Sequence, residues 1–212
     1  MYRHIIPLMG EKGDIYQLKV TLEDTHIPIW RTVLISGDVT FADLHDAIQT
    51  AFGWTNSHLH HFIVSTPTMQ RLYVQSERMP SDFAPASPEL LMSEEKTKLK
   101  EFLPTMVQKC EYEYDFGDGW SHAVEFEKAV PREKGQQYPA CIDGENAAPP
   151  DDCGGTGGYE DLCKTLADPK SEDYEDMLEW LGLAKGSEFD PHAFDLKSIN
   201  RALKKTAIIS AG

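Results

Sequence analysis

KCEYEYDFGDGWSHAVEFEK, residues 109–128, decides the fold. Cys110, Tyr112, Tyr114 and Phe116 occupy alternate positions before Gly117, Asp118 and Gly119, and Trp120, His122, Val124 and Phe126 alternate after them. Successive side chains of a strand point to opposite faces, so each arm presents one apolar face. A glycine-rich break between two such arms closes an antiparallel hairpin. The turn is expected at residues 117–119, shaped by Asp115 and Asp118.

Working outward, Tyr16, Leu18, Val20 and Leu22 alternate with polar residues and predict a half-buried strand, and IPIWRTVLI, residues 27–35, predicts a second. Thr40 with Asp43 three residues on resembles a capped helix start. Phe41, Leu44, Ile48 and Phe52 then recur at helical spacing until Gly53, so one face of that helix should be buried. LHHFIVS and RLYVQ read as short strands, residues 76–92 as an exposed Ser- and Pro-rich loop, and KTKLKEFL as a short helix. Beyond the hairpin, residues 131–158 are dense in Pro and Gly. Tyr138, Cys141 and the Pro149-Pro150 pair suit an ordered loop pinned against a surface. The glycine run 154–158 reads as a sharp chain reversal. Three helices complete the chain: Tyr159 to Leu166, Tyr174 to Leu181 behind Ser171, and Leu196 to Lys205 behind Asp195. Strands joined by hairpins, with helices appended, predict a single α+β domain across residues 1–212: an antiparallel sheet with the hairpin at its centre and about four to five helices.

Composition narrows the function classes. The chain carries 35 acidic against 20 basic residues, and residues 111–195 alone hold 22 acidic against 6 basic side chains. Tight binding to a phosphate backbone needs clustered Lys and Arg, so direct nucleic-acid binding is not expected. The short basic stretches Lys96, Lys98, Lys100 and Arg201, Lys204, Lys205 read as solvated helix faces. No run approaches the roughly 20 apolar residues of a membrane span, and MYRHIIPLMG lacks the features of a leader, which predicts a cytoplasmic protein. Cys110, Cys141, Cys153 and Cys163 form no C-x-x-C pair and are expected as thiols.

The series PIWR (28–31), DLHDAIQTAFGW (43–54), HLHHF (58–62), YEYDFGDGWSH (112–122), YPACIDG (138–144), PPDDCGGTGGY (149–159) and FDPHAFD (189–195) resembles the Ri-plasmid third-open-reading-frame-like family, some of whose members are labelled TnpR-type transposon passengers. The resemblance runs in order along nearly the whole chain. It implies an α+β domain and brings no established activity or cofactor. The family usually has Glu where Asp151 stands and often an aliphatic residue where Cys153 stands, which argues against a family-wide role for that thiol. The resolvase label fails on chemistry. A serine recombinase needs arginines gathered at a scissile phosphate, and the six arginines here, at 3, 31, 71, 78, 132 and 201, are scattered.

The candidate site comprises His58, His60, Asp115, Asp118, Trp120, His122, Asp151 and Asp152. His58 and His60 stand two apart, so on a strand they would share a face, and the hairpin aspartates with His122 would add oxygen and nitrogen ligands for a divalent metal. His45, beside the apolar stripe of its helix, reads as a packed histidine. The long loop is expected to fold back onto the hairpin and to bring Asp118, His122 and Asp152 into one concavity that favours cationic, metal-bridged or neutral polar ligands. No nucleophile motif accompanies these residues. The preferred reading is a non-catalytic interaction or ligand-binding module, associated with mobile elements through the resemblance alone, whose partner is a protein or a small polar ligand. The alternative is a metal-dependent, hydrolase-like enzyme.

Overall fold

The hairpin forms, with β6 (Lys109–Tyr114) antiparallel to β7 (Trp120–Val130) in a computed structural model that describes residues 14–83, 87–185 and 187–210. Residues 1–10, read above for a leader, lie outside the described residues. Tyr114 opposes Trp120, Tyr112 opposes His122 and Cys110 opposes Val124, and all six side chains are buried. The turn spans residues 115–119: Asp115 takes φ +56°, Gly119 takes φ +70°, and the Gly119 N–H donates to the Asp115 carbonyl at 2.6 Å. The left-handed Asp115 breaks the alternation, which corrects the placement of Phe116. Its ring lies 4.9 Å from that of His61 and 5.4 Å from that of Phe83, on the face opposite Tyr114.

Around the hairpin lie β1 (Ile15–Leu22), β2 (Ile29–Ser36), β3 (His60–Ser65) and β4 (Arg71–Gln75). With β5 (Leu91–Ser93) and β8 (Ala140–Glu145) they form an eight-stranded sheet in the order β5-β4-β3-β6-β7-β1-β2-β8. Register places Val74, Phe62, Tyr112, His122, Leu22 and Ile29 in one row across six strands, every one of them buried. Buried apolar side chains of this size each stabilise by roughly 1.5–3 kcal/mol, so this face is the core. The opposite face carries Glu111, Glu113, Lys19 and Arg71, the alternation expected of a sheet solvated on one side.

Helix α1 (Phe41–Phe52) covers the core face. Thr40 Oγ1 accepts from the Asp43 N–H at 3.2 Å, the Thr40 N–H donates back to the Asp43 carboxylate at 2.8 Å, and Gly53 ends the helix at φ +79°. Phe41, Leu44, Ile48 and Phe52 are all buried, with Phe41 meeting Phe62 edge-on at 5.0 Å.

Several expectations need correction. Residues 91–92, read as exposed loop, belong to β5, which pairs in parallel with β4 and makes the sheet mixed. KTKLKEFL yields only a single 3₁₀ turn at Leu99–Glu101, because Pro104 disfavours helix in the residue before it. The long loop contains β8, an edge strand on β2 with an irregular register near Ile142. Helix α2 (Gly155–Ala167) begins inside the glycine run, so the run opens a helix rather than reversing the chain. In α3 (Tyr174–Trp180), Asp173 and not Ser171 occupies the cap position, and Ser171 accepts the Tyr174 N–H with its carbonyl. Helix α4 (Leu196–Ser210) extends past Lys205 and packs on α1 and β8, and Asp195 accepts the N–H groups of Lys197 and Ser198. Among the described residues no helix is long and apolar enough to cross a membrane. The four cysteines are unpaired.

Candidate metal centre

Three chain segments meet at the hairpin turn. The first, residues 54–58, leaves α1 through Gly53; Asn56 sits at φ +56°, its N–H donating to Gln49 Oε1, and the Ser57 N–H donates to the Tyr114 hydroxyl at 3.2 Å. The second is the turn itself, where Asp115 Oδ1 accepts the N–H groups of Gly117 and Asp118 at 3.0 and 3.3 Å. The third, residues 149–155, is the folded-back loop. Asp151 accepts from the Thr55 N–H and hydroxyl at 2.9 and 2.7 Å and from the Tyr114 hydroxyl at 3.2 Å, and Asp118 accepts the Gly154 N–H at 3.1 Å. Glycine is needed at this junction: a Cβ on Gly155 would stand 2.5 Å from the Asp118 carbonyl oxygen, and one on Gly158 would collide with the Cys153 carbonyl.

These contacts bring His58, Asp115 and Asp152 together. His58 Nε2 lies 3.1 Å from Asp152 Oδ1 and 3.6 Å from Asp115 Oδ2, and one ligand atom from each of the three falls within 4.8 Å of the others. That Nε2 atom is buried and no hydrogen bond is aligned on it. Asp115 and Asp152 both hold left-handed backbone, at φ +56° and +61°. Non-glycine residues adopt that region at a cost, and such strain gathers at functional sites. Asp115 is buried and anchored through Oδ1, leaving Oδ2 for His58, while the Asp152 side chain is 69% exposed.

The other expected site residues divide into two groups. Asp118 and Asp151 act as clamps, holding the loop to the turn and to Thr55. His60, Trp120 and His122 lie apart. Strand β3 begins only at His60, so the two-residue spacing does not pair it with His58. Instead His60 Nε2 lies 2.8 Å from the Glu94 carboxylate, and its ring stacks on that of His45 at 3.4 Å. Trp120 and His122 are both 0% exposed, so the single concavity expected to hold Asp118, His122 and Asp152 does not form around His122. Sequence reasoning missed Glu94, Thr55 and Tyr114. Glu94 sits just past the stretch read as exposed loop, and only the fold reveals it as a buried partner.

Burial governs the histidines. His45 bonds Tyr112 and Asn56 and is pushed down to about 3 by desolvation, with His60 adding to the effect. His122, among Phe52, Trp54 and Tyr112, is pushed down to about 4 by desolvation. Unfolding lets the His122 ring take up a proton near its ordinary value of about 6.5, whereas the folded ring resists until about 4. Unfolded chains therefore bind more protons in that window, and stability falls as pH drops through it. Urea unfolding from pH 7 to 4 should show the wild type losing on the order of 2 kcal/mol more than His122→Phe. Equal slopes would mean that the folded ring takes up its proton as readily as the unfolded one.

Comparison with known proteins agrees with this architecture. The profile of the plasmid pRiA4b ORF-3-like protein family matches residues 14–198. An uncharacterized protein, y4hQ, of Sinorhizobium fredii (strain NBRC 101917 / NGR234) is 33% identical over 195 residues, 92% of this chain and 93% of the relative. The crystal structure of a protein of unknown function, MM3350 from Methanosarcina mazei Go1, superimposes with a TM-score of 0.76 at 37% identity, over 87% of this chain and 97% of that one. The matched profile takes in the hairpin, the folded-back loop and the sheet between them, and the chain belongs to the plasmid pRiA4b ORF-3-like family.

Proposed function

We infer that the chain is a non-catalytic ligand-binding module centred on a divalent cation held by His58, Asp115 and Asp152. The observation that carries this reading is the convergence of one imidazole nitrogen and two carboxylate oxygens within 4.8 Å, drawn from three separate segments. Bonds of about 2.0–2.2 Å to a common ion place its ligand atoms within about 4.4 Å of one another, so the cluster needs little adjustment to close on one. Mixed nitrogen and oxygen donors favour Zn²⁺, Mn²⁺ or Fe²⁺ over Ca²⁺. The acidic surroundings attract cations and oppose a polyanion, which favours a small polar ligand or a protein group completing the coordination over nucleic acid.

The test is titration of untagged, chelator-stripped protein with Zn²⁺ and Mn²⁺, together with metal analysis of the protein as purified. One equivalent should bind, and Asp152→Asn, at an exposed position that leaves the fold intact, should weaken binding by about tenfold or more. A folded, metal-free protein that takes up neither ion would reduce the cluster to a polar contact tying the loop and the His58 segment to the hairpin. A metal-dependent hydrolase is the second reading, favoured by the exposure of Asp152, which would give water access to an ion held there. Hydrolysis of simple phosphate or carboxylate esters by the metal-loaded protein, abolished in Asp115→Asn, would establish it.

A further inference from the structure

A cavity opens between α2 and α3, with Asp152 on its lining. Its volume is about 320 Å³, and Asp152, Cys153, Asp161, Leu162, Asp173, Met177 and Trp180 line most of it. Leu162 is buried and Met177 half-buried, whereas the Trp180 side of the cavity faces water, with the residue 48% exposed. Three carboxylates surround this apolar seat, and no Lys, Arg or His contributes to the lining. Lys164 reaches Asp161 at 3.6 Å and Glu160 at 2.8 Å from outside the cavity, but these are exposed pairs of little strength.

We propose that this cavity binds a small organic cation, an ammonium or guanidinium group carried on a short hydrocarbon body. The charged head meets Asp161, Asp173 and the Trp180 indole, and the body lies on Met177 and Leu162. An indole face attracts a cation through its quadrupole, and the attraction strengthens as the cation is desolvated. The charge pattern excludes anions, and the size of the cavity suits a single side-chain-sized ligand at the small end of binding sites. The proposal goes beyond the metal reading and does not rest on it, since Asp152 alone is shared between the two.

The experiment uses chelator-stripped protein, so that no metal contributes, and follows tryptophan emission during titration with hexylammonium, with agmatine, with neutral hexanol and with an end-blocked Leu-Lys-Leu peptide. A saturable change with the two free cations is expected, absent with hexanol, weakened about tenfold in the Asp161→Asn/Asp173→Asn double variant and lost in Trp180→Phe. Equal binding of hexanol, silence from both cations, or an unchanged double variant would overturn the site. A peptide that binds more tightly than the free cations would overturn the small-molecule ligand in favour of a polypeptide.

Discussion

Replacing Arg31 with alanine should lower the free energy of unfolding by about 3–5 kcal/mol, one of the two largest single-residue effects expected in this chain. Arg31 lies on β2, is buried, and makes its hydrogen bonds to main-chain carbonyls. Its Nε donates to Ala51 at 3.1 Å, one terminal nitrogen donates to Trp30 and Glu145 at 2.8 and 2.9 Å, and the other donates to Asn146 at 2.9 Å. Phe52 and Phe194 flank the guanidinium at 5.2 and 5.0 Å. Burial lowers its pKa to about 10, so it stays charged at neutral pH. The Ala51 carbonyl belongs to the last turn of α1, where the helix dipole is negative and a cation is favoured. One side chain thus joins α1, β2, β8 and Asn146, the residue that follows β8. Alanine would leave four carbonyls without their donor and open a cavity. Arg31→Lys keeps the charge but not the fork, so it should fall between wild type and alanine. Urea unfolding monitored by circular dichroism measures the series, and an alanine loss below about 1 kcal/mol would show that water replaces the guanidinium.

What the sequence discloses and what it conceals divide along physical lines. The hairpin, β1, β2 and α1 are legible because their signals are local: period-two or helical spacing, a capping pair at Thr40 and Asp43, a glycine at the helix end. Strand β8 is not. ACIDGE carries no alternation, and its strand conformation comes from pairing with β2 on one side and from Asn200 on the other, which bonds both the N–H and the carbonyl of Cys141. An edge guarded by a helix side chain leaves no periodic trace. The site is legible as residue types but not as a constellation. His58, Asp115 and Asp152 stand out singly, yet their meeting depends on left-handed backbone at residues 56, 115 and 152, which a pattern of polarity does not encode. Misassignment of His60 and His122 has the same origin. The sequence shows two more histidines, and only burial reveals one bonded to Glu94 and the other enclosed by aromatic rings. Arg31, inside the motif PIWR, looked like one of six scattered arginines until the fold gave it four carbonyls.

The other large effect falls on Trp54, and it connects stability to the candidate metal centre. Its ring stacks on Tyr114 at 4.9 Å and Phe52 at 5.3 Å and meets His122 edge-on at 5.2 Å, while its indole N–H donates to the Pro149 carbonyl at 2.8 Å. Trp54→Ala should therefore cost about 3–5 kcal/mol, the usual loss for a buried indole. Trp54→Phe is the more informative variant. It keeps most of the stacking and removes the bond to Pro149, so it should cost roughly 1–3 kcal/mol and remain folded. Pro149 lies two residues before Asp151, and the Trp54 bond joins this loop to the segment that carries His58. Releasing it should loosen Asp152 against His58 and Asp115, lowering Zn²⁺ affinity by about tenfold, as loss of a supporting residue does in other metal sites. Phenylalanine that leaves the affinity unchanged would mean that Thr55 and Tyr114, both bonded to Asp151, hold the loop without help from the indole. Wild-type stability together with weakened metal binding would instead separate the two roles, because the aromatic stack would then support the fold and the single N–H would position the site.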